Sequence, residues 1–161
     1  MADLATLNAS LTPFCTFRLN QRLYGIKLSE VREVSTGLPI TPVPHAPPAV
    51  RGLANLRSRI YLVIELRQML GFPSADPTPD NRLLILRPGI AEGVGILVDR
   101  GGDIVTVADQ KIEQTPESAS TPSTGEAARP RFITGICKLE SELLMVVSAS
   151  PLIAEIKRLL P

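Results

Sequence analysis

Aromatic side chains are scarce in this chain. Phenylalanine and tyrosine make up 4% of its 161 residues, and tryptophan does not occur. Proteins that bind single-stranded nucleic acid stack bases on such rings, so this scarcity argues against that class. A charge imbalance is lacking too, because 17 Lys and Arg residues face 16 Asp and Glu residues. Nucleic acid and anionic lipid attract proteins through clustered positive charge. We therefore expect no nucleic-acid partner and no direct membrane contact.

Long apolar runs and paired cysteines are also lacking. The densest apolar stretches, 60–64 and 143–147, have the length of strands and fall far short of the ~20 residues of a membrane span. The first residues show no basic segment followed by an apolar one, which is the pattern of a secretory signal. Cys15 and Cys137 lie in apolar runs without CxxC spacing, which predicts two buried, reduced thiols. We expect the protein to stay in the cytoplasm.

Groups of residues that carry out chemistry are lacking as well. The one histidine, His45, lies between Pro44 and Ala46, with no nearby partner for proton transfer or metal binding. The Gly93-Val-Gly95 segment is only a fragment of a dinucleotide fingerprint, and neither a Walker lysine motif nor a GxSxG elbow occurs. The sequence therefore predicts no catalytic residue, no metal site and no cofactor, and hence a protein that is not an enzyme.

Short strands separated by turn residues are the main pattern that is present. Alternating or continuous apolar residues predict strands over 14–19, 24–28, 53–56, 60–64, 82–86, 93–98, 132–138 and 143–147. Short helical segments are expected after Ser29, where Val31 and Val34 would share one side, and over 65–70. Ser150 is expected to cap a C-terminal helix. This order predicts a mainly β fold, an antiparallel barrel or sandwich with short helices.

The chain reads as one domain with two loosely held segments. Residues 1–12 are small, polar and unpatterned, so we expect a flexible N-terminus before a domain that spans 13–161. The stretch 114–131 is rich in Ser, Thr, Pro, Glu and Ala, and it predicts a mobile loop because it has little apolar surface to bury.

Several ordered motifs resemble one protein family. The segment 40–57 reads ITPVPHAPPAVRGLANLR and continues as IYLVIELR over 60–67. Together these resemble the signature of CheW-like chemotaxis coupling proteins. Further pieces are similar to the family in the same order: YGI at 24–26, VREV at 31–34, GILVD at 95–99 and FITG at 132–135. The resemblance covers roughly residues 14 to 160.

The resemblance implies a fold, a function and a set of sites. The family fold is two SH3-like five-stranded barrels packed together, and its members are non-catalytic adaptors. They bridge the regulatory domain of the CheA-type histidine kinase and the cytoplasmic tips of methyl-accepting receptors, which recruit them to membrane arrays. By similarity, the receptor-contacting residues are Val31, Glu33, Arg57, Leu83 and Ile104, and the structural motif residues are Gly52, Asn55, Gly95 and Asp99. The kinase-binding residues stay unassigned.

The residues themselves leave alternatives open. A groove of small aliphatic side chains suits a helical receptor tip, but Val31, Leu83 and Ile104 are equally compatible with an ordinary core. Arg57, at a turn between apolar strands, either offers a fixed fork of donors to a partner or pairs internally with Glu33.

Departures from the family pattern widen the choice of function. Ser58 stands where the family has glycine. The chain is therefore also compatible with a divergent scaffold of another chemosensory array, such as one controlling type IV pili. A small-ligand or nucleic-acid-binding β-barrel is the alternative from another class, since fold does not fix function.

Overall fold

The structure is a computed structural model that describes residues 10–114 and 130–160. The strands are β1 (Leu11–Leu19), β2 (Arg22–Lys27), β3 (Val31–Ser35), β4 (Ile40–Thr41), β5 (Val50–Leu56), β6 (Arg59–Glu65), β7 (Arg82–Leu86), β8 (Val94–Val98), β9 (Arg100–Ala108), β10 (Ile112–Gln114), β11 (Ile133–Lys138) and β12 (Leu143–Val147). Two α-helices, α1 (Leu66–Met69) and α2 (Ala149–Leu159), and two 3₁₀ turns (Leu28–Glu30 and Asp109–Lys111) complete this part of the chain.

The strands form two six-stranded sheets. Sheet A has the order β10-β11-β12-β2-β1-β9, and sheet B has the order β3-β7-β8-β6-β5-β4. Most neighbours are antiparallel, but β12 pairs with β2, and β6 with β8, in parallel. The chain begins in sheet A, builds all of sheet B with β3 to β8, and returns to sheet A with β9. Sheet A therefore combines segments that are distant in sequence, whereas sheet B is built from one continuous part of the chain.

The buried side chains fall into three clusters. One lies within sheet A, around Phe14 and Leu144, and another lies within sheet B, around Tyr61 and Ile85. The third and largest joins strands of both sheets to helix α2, whose Leu152, Ile153 and Ile156 are buried in it. Because burying one such aliphatic side chain is worth roughly 1.5–3 kcal/mol, this shared cluster holds the two sheets together.

Two tight hairpins are closed by residues with positive φ. Asn20 and Gln21 join β1 to β2 with φ of 50° and 68°, and Arg57 and Ser58 join β5 to β6 with φ of 52° and 66°. Positive φ at both central residues gives a turn whose twist matches that of the flanking strands. Ser58 takes this conformation without the freedom of a glycine.

The mainly β fold class is confirmed, with six strands in each sheet. Strands β4 and β10, which the sequence did not predict, have two and three residues, which is too short for a repeating sequence pattern. A β-bulge lies beside Gly101 and Gly102, because the pairing of β1 with β9 shifts register between Cys15 and Phe17.

Two local expectations need correction. The predicted helical turn carrying Val31 and Val34 ends at Glu30, and Val31–Ser35 is strand β3. Pairing with the distant strand β7 overrides the weak local helical pattern, and β-branched valines favour a strand. Helix α2 starts at Ala149 rather than after Ser150, and its N-cap residue is Ser148.

The two segments that the sequence predicts to be flexible or mobile lie mainly outside the described residues. Residues 1–9 and 115–129, which include most of the predicted flexible N-terminus and mobile loop, are not described. Strand β1 already begins at Leu11, two residues before Pro13. Within the described ranges, no helix is long and apolar enough to cross a membrane.

Candidate protein-binding site

The clearest feature of the proposed receptor surface is an ion pair between Arg57 and Glu33. Arg57 lies at the tip of the β5–β6 hairpin, and its Nη1 donates to Oε2 of Glu33 on β3 at 2.7 Å. Strand β3 is at one edge of sheet B, three strands from β6. The pair therefore joins two parts of sheet B that are not neighbours in the ladder, as expected when a sheet curls into a barrel.

The exposure of this pair is uneven, and that suits recognition. The Arg57 side chain is 74% exposed, whereas that of Glu33 is 23% exposed. An exposed ion pair adds only about 0–1 kcal/mol to stability. However, a guanidinium has five N–H donors, and this contact with Glu33 uses one of them. Glu33 therefore holds Arg57 in place while most of its donors face solvent.

Two of the predicted contact residues are buried. Val31 is 4% exposed and belongs to the cluster shared by both sheets, and Leu83 is 4% exposed within sheet B. Leu83 packs over Gly95, where an added Cβ would lie 2.9 Å from the Leu83 Cδ1 atom. Both residues are therefore part of the core, and neither presents its side chain to solvent in this structure.

Ile104, unlike Val31 and Leu83, is exposed. It lies on β9, an edge strand of sheet A, and it is 60% exposed. The structure thus brings Glu33 and Arg57 into contact, buries Val31 and Leu83 in the core, and places Ile104 on the other sheet.

The motif residues Gly52 and Asn55 both lie on β5. Gly52 has a φ of 150°, and an added Cβ would lie 2.2 Å from the carbonyl oxygen of Thr41 on β4. Only a residue without a side chain permits this approach of two backbones. Asn55 is exposed, and its side-chain amide makes no hydrogen bond within residues 10–114 and 130–160.

Asp99 connects the two sheets. Its carboxylate accepts the backbone N–H of Asn20, in the β1–β2 turn of sheet A, at 2.9 Å and pairs with Arg67 of α1. Its backbone carbonyl accepts Nδ2 of Asn81 at 3.1 Å. Arg67 in turn donates through Nε to the carbonyl of Pro73 at 2.8 Å. One residue therefore fixes a turn of sheet A against the helix and connector that follow β6.

Sequence reasoning missed the Arg67–Asp99 pair. Both residues lie within the resembling motifs, but they are 32 positions apart, so no local spacing shows that they meet. The one available signal was a basic residue, Arg67, three positions after the apolar run 60–64. A charged group so close to a buried strand needs a partner.

The carboxylates of Glu30 and Glu142 have shifted pKa values. Burial raises the pKa of Glu30, although its Oε2 accepts the backbone N–H of Ala149 at the start of α2 at 3.2 Å. The hydrogen bonds from Arg18 lower the pKa of Glu142, which accepts from both terminal nitrogens at 2.9 and 2.8 Å. Both contacts are structural, since each joins distant segments of the fold.

The side chains that could support catalysis or metal binding do not lie together among the described residues. His45 is exposed in the proline-rich segment with a φ of 62°. Among the described residues, no three His, Cys, Asp or Glu side chains are grouped so that they could hold a metal ion. Cys15 and Cys137 are buried free thiols, and burial raises the pKa of each.

Comparison with known proteins identifies relatives over nearly the whole chain. The model of the CheW-like domain family matches residues 13–157. A probable chemotaxis protein CheW of Rhizobium etli is 30% identical over 150 residues, 93% of this chain and 92% of that protein. The chemotaxis protein CheW of Rhizobium meliloti is 32% identical, over 81% of this chain and 80% of that protein. The crystal structure of the scaffolding protein TtCheW from Thermoanaerobacter tengcongensis matches with a TM-score of 0.73 and 26% identity, over 86% and 89% of the two chains.

Proposed function

The chain belongs to the CheW-like domain family, and from this membership we propose that it is a chemotaxis adaptor that carries out no catalysis itself. It couples a CheA-type histidine kinase, through the kinase's regulatory domain, to the cytoplasmic tips of methyl-accepting receptors. The observation that carries the proposal is the extent of the match, because the family model spans residues 13–157 and the match to the Rhizobium etli protein covers 92% of that protein. Receptor arrays would bring the protein to the membrane through these partners.

The receptor face in this proposal is built around Arg57. Arg57 and Ile104 supply exposed groups, and Glu33 positions the guanidinium. Val31 and Leu83 support the surface from beneath. A receptor tip is a helical hairpin, and such a partner is recognised by aliphatic contacts together with a few charges that set its register.

Residues 13–161 act as one unit in this proposal, with two intertwined barrel subdomains. The chain visits sheet A, then sheet B, then sheet A again, and both sheets share one buried cluster with α2. A rigid domain of this kind can hold two partners at a fixed distance, which is what an adaptor requires.

Substitution of Arg57 by glutamate tests the receptor face. Arg57→Glu reverses the exposed charge and sets a carboxylate beside Glu33, so we expect binding to a receptor-tip fragment to weaken about tenfold or more. Binding to the kinase regulatory domain should be unchanged. The thermal midpoint should change little, because the Arg57 side chain is 74% exposed and an ion pair at such a position adds only about 0–1 kcal/mol. Isothermal titration of each fragment measures both affinities.

Two further variants complete that experiment. Lys157→Glu, on the exposed side of α2, makes the same charge change away from the face and should alter neither affinity. The charge swap Glu33→Arg/Arg57→Glu keeps an ion pair but moves the cation, and it should not restore receptor binding. Equal loss of receptor and kinase binding in Arg57→Glu would contradict the proposed division of surfaces.

A further inference from the structure

One end of the barrel formed by sheet B contains a cavity. Strands β3 and β8 end there, and β5 and β7 begin there. Residues 37–39, between β3 and β4, and the connector residues 77–81 form its rim. The cavity has a volume of about 490 Å³, which is within the range of small-molecule sites, and the mouth of a β-barrel is a common place for such a site. Arg57 lies at the opposite end of the barrel, in the β5–β6 turn.

The inner part of the cavity is apolar and preformed. Four aliphatic side chains that belong to the core cluster of sheet B, or pack against it, line the cavity: Leu38, Ile40, Leu83 and Leu97. Four prolines, from segments 39–42 and 77–79, line it as well. Because the proline ring fixes φ, these two segments lose little freedom when a ligand binds. The cavity therefore suits a short aliphatic chain.

Two arginines give the cavity a positive polar side. Arg51 and Arg82 both line it, whereas no Asp or Glu of the described chain does. The Arg51 side chain is 23% exposed, and its Nη1 donates to Glu65 at 3.2 Å, which uses one of its five donors. A guanidinium that is partly removed from water attracts an anion more strongly than a fully exposed one. The head group that fits this side is therefore a carboxylate, which matches the fork of guanidinium donors.

Arg82 is held in place before any ligand binds. Its Nη1 donates to the backbone carbonyls of Pro79, Asp80 and Asn81 at 3.1, 2.9 and 3.0 Å. Its aliphatic stem lies against Gly101 of β9, since a Cβ added there would be 3.1 Å from the Arg82 Cγ atom. Its Nε and Nη2 make no hydrogen bond with residues 10–114 or 130–160. A fixed guanidinium with free donors loses little entropy when it binds a carboxylate.

We propose that this barrel mouth binds a small organic anion, a monocarboxylate with a short aliphatic chain. The carboxylate accepts from Arg51 and Arg82, and the chain lies between the prolines on the aliphatic floor. An ammonium group would meet two guanidinium groups and no carboxylate there, so amines and zwitterionic amino acids are disfavoured. The ligand is a free metabolite, and the site does not depend on the proposed adaptor function.

Hexanoate is the probe that tests this site, with hexanol and hexylammonium as ligands of the same chain length. Amide correlation spectra of the isotopically labelled full chain are recorded at neutral pH as each probe is added. We expect hexanoate to bind saturably in the millimolar range and to shift the amide signals of residues 37–40, 81–83 and 97. Hexanol should bind about tenfold more weakly, and hexylammonium should leave these signals unchanged.

Two variants and a control separate the head group from the apolar walls. Arg82→Gln should weaken hexanoate binding about tenfold and leave hexanol binding unchanged. The double variant Arg51→Gln/Glu65→Gln removes the other guanidinium without leaving a buried carboxylate unpaired, and it should weaken hexanoate in the same way. Arg87→Gln, just beyond the other end of β7, makes the same substitution at an exposed position and should have no effect.

Several results would overturn the assignment. Equal binding of hexanoate and hexanol, unaffected by either arginine variant, would show an apolar cavity without an anion site. Shifts confined to other residues, or no saturable shift, would show that the mouth is not a ligand site. A fall in hexanoate affinity as the protein concentration rises would show that a second copy of the chain fills it. The spectra also report whether each variant is folded, and either arginine variant decides the question if the other does not fold.

Discussion

Replacing Gly52 by alanine should destabilise the fold strongly, and the structure explains why. The new Cβ would lie 2.2 Å from the carbonyl oxygen and 2.7 Å from the carbonyl carbon of Thr41. Both atoms belong to the backbone of β4, so no side-chain rotation relieves the clash. The φ of 150° at Gly52 is a second obstacle, because residues with a side chain rarely adopt it.

The expected loss in the free energy of unfolding has two parts, the backbone strain at position 52 and the hydrogen bonds lost when β4 moves. Holding a non-glycine residue in a sparsely populated backbone region costs about 1–3 kcal/mol. Moving β4 away loses ladder hydrogen bonds worth about 0.5–1.5 kcal/mol each. We therefore expect Gly52→Ala to lower the free energy of unfolding by about 3 kcal/mol, which corresponds to a fall in Tm of about 6–12 °C for a chain of this size.

Thermal unfolding followed by circular dichroism measures this effect. Gly89→Ala is the matched control, since a Cβ there meets nothing within 4 Å and its φ is not positive. The control should change the free energy of unfolding by no more than about 0.5 kcal/mol. A fall in Tm for Gly52→Ala that equals that of the control would refute the close approach of β4 and β5.

The carboxylates of Glu30 and Asp99 give two further predictions. Because burial raises the pKa of Glu30, the folded state disfavours its charge, and its contribution to stability declines as the pH rises from about 4.5. Glu30→Gln keeps an acceptor for the N–H of Ala149 and removes that decline. In urea unfolding, the variant should therefore gain free energy of unfolding relative to wild type, and this gain should be larger at pH 7 than at pH 4. A gain that does not depend on pH would contradict this. Asp99→Ala leaves the largely buried Arg67 without its carboxylate and should cost about 2 kcal/mol in urea unfolding. The exposed Asp103→Ala serves as its control, and equal effects of the two would show that Asp99 does not link the sheets.

Local sequence patterns predicted the hairpins because their determinants are local. The apolar alternation over 14–19 and 24–28 appears as β1 and β2, and the apolar runs around Arg57 and Ser58 appear as β5 and β6. The internal pairing of Arg57 with Glu33, left open by the sequence, is present. In both hairpins a turn with positive φ brings adjacent segments together, so the local order of residues is sufficient. The Arg57–Glu33 contact instead joins segments that are not neighbours in the sheet.

Contacts between distant segments were not accessible in the same way. Strand β3 forms because Val31 aligns with Leu86, more than fifty positions away, and a local helical pattern gave no sign of this. The burial of Leu83 depends equally on Gly95 of the neighbouring strand β8. The receptor-contact roles inferred by resemblance stay predictions, because they concern a surface whose partner is a separate molecule.

The central claim is that this protein holds a kinase and a receptor at the same time. Sedimentation velocity of the wild-type chain mixed with a kinase regulatory domain and a receptor-tip fragment tests it most directly. The account predicts one ternary boundary that contains all three components and that is lost when this chain is omitted. Mutually exclusive binding of the two fragments, or no binding of either, would contradict it.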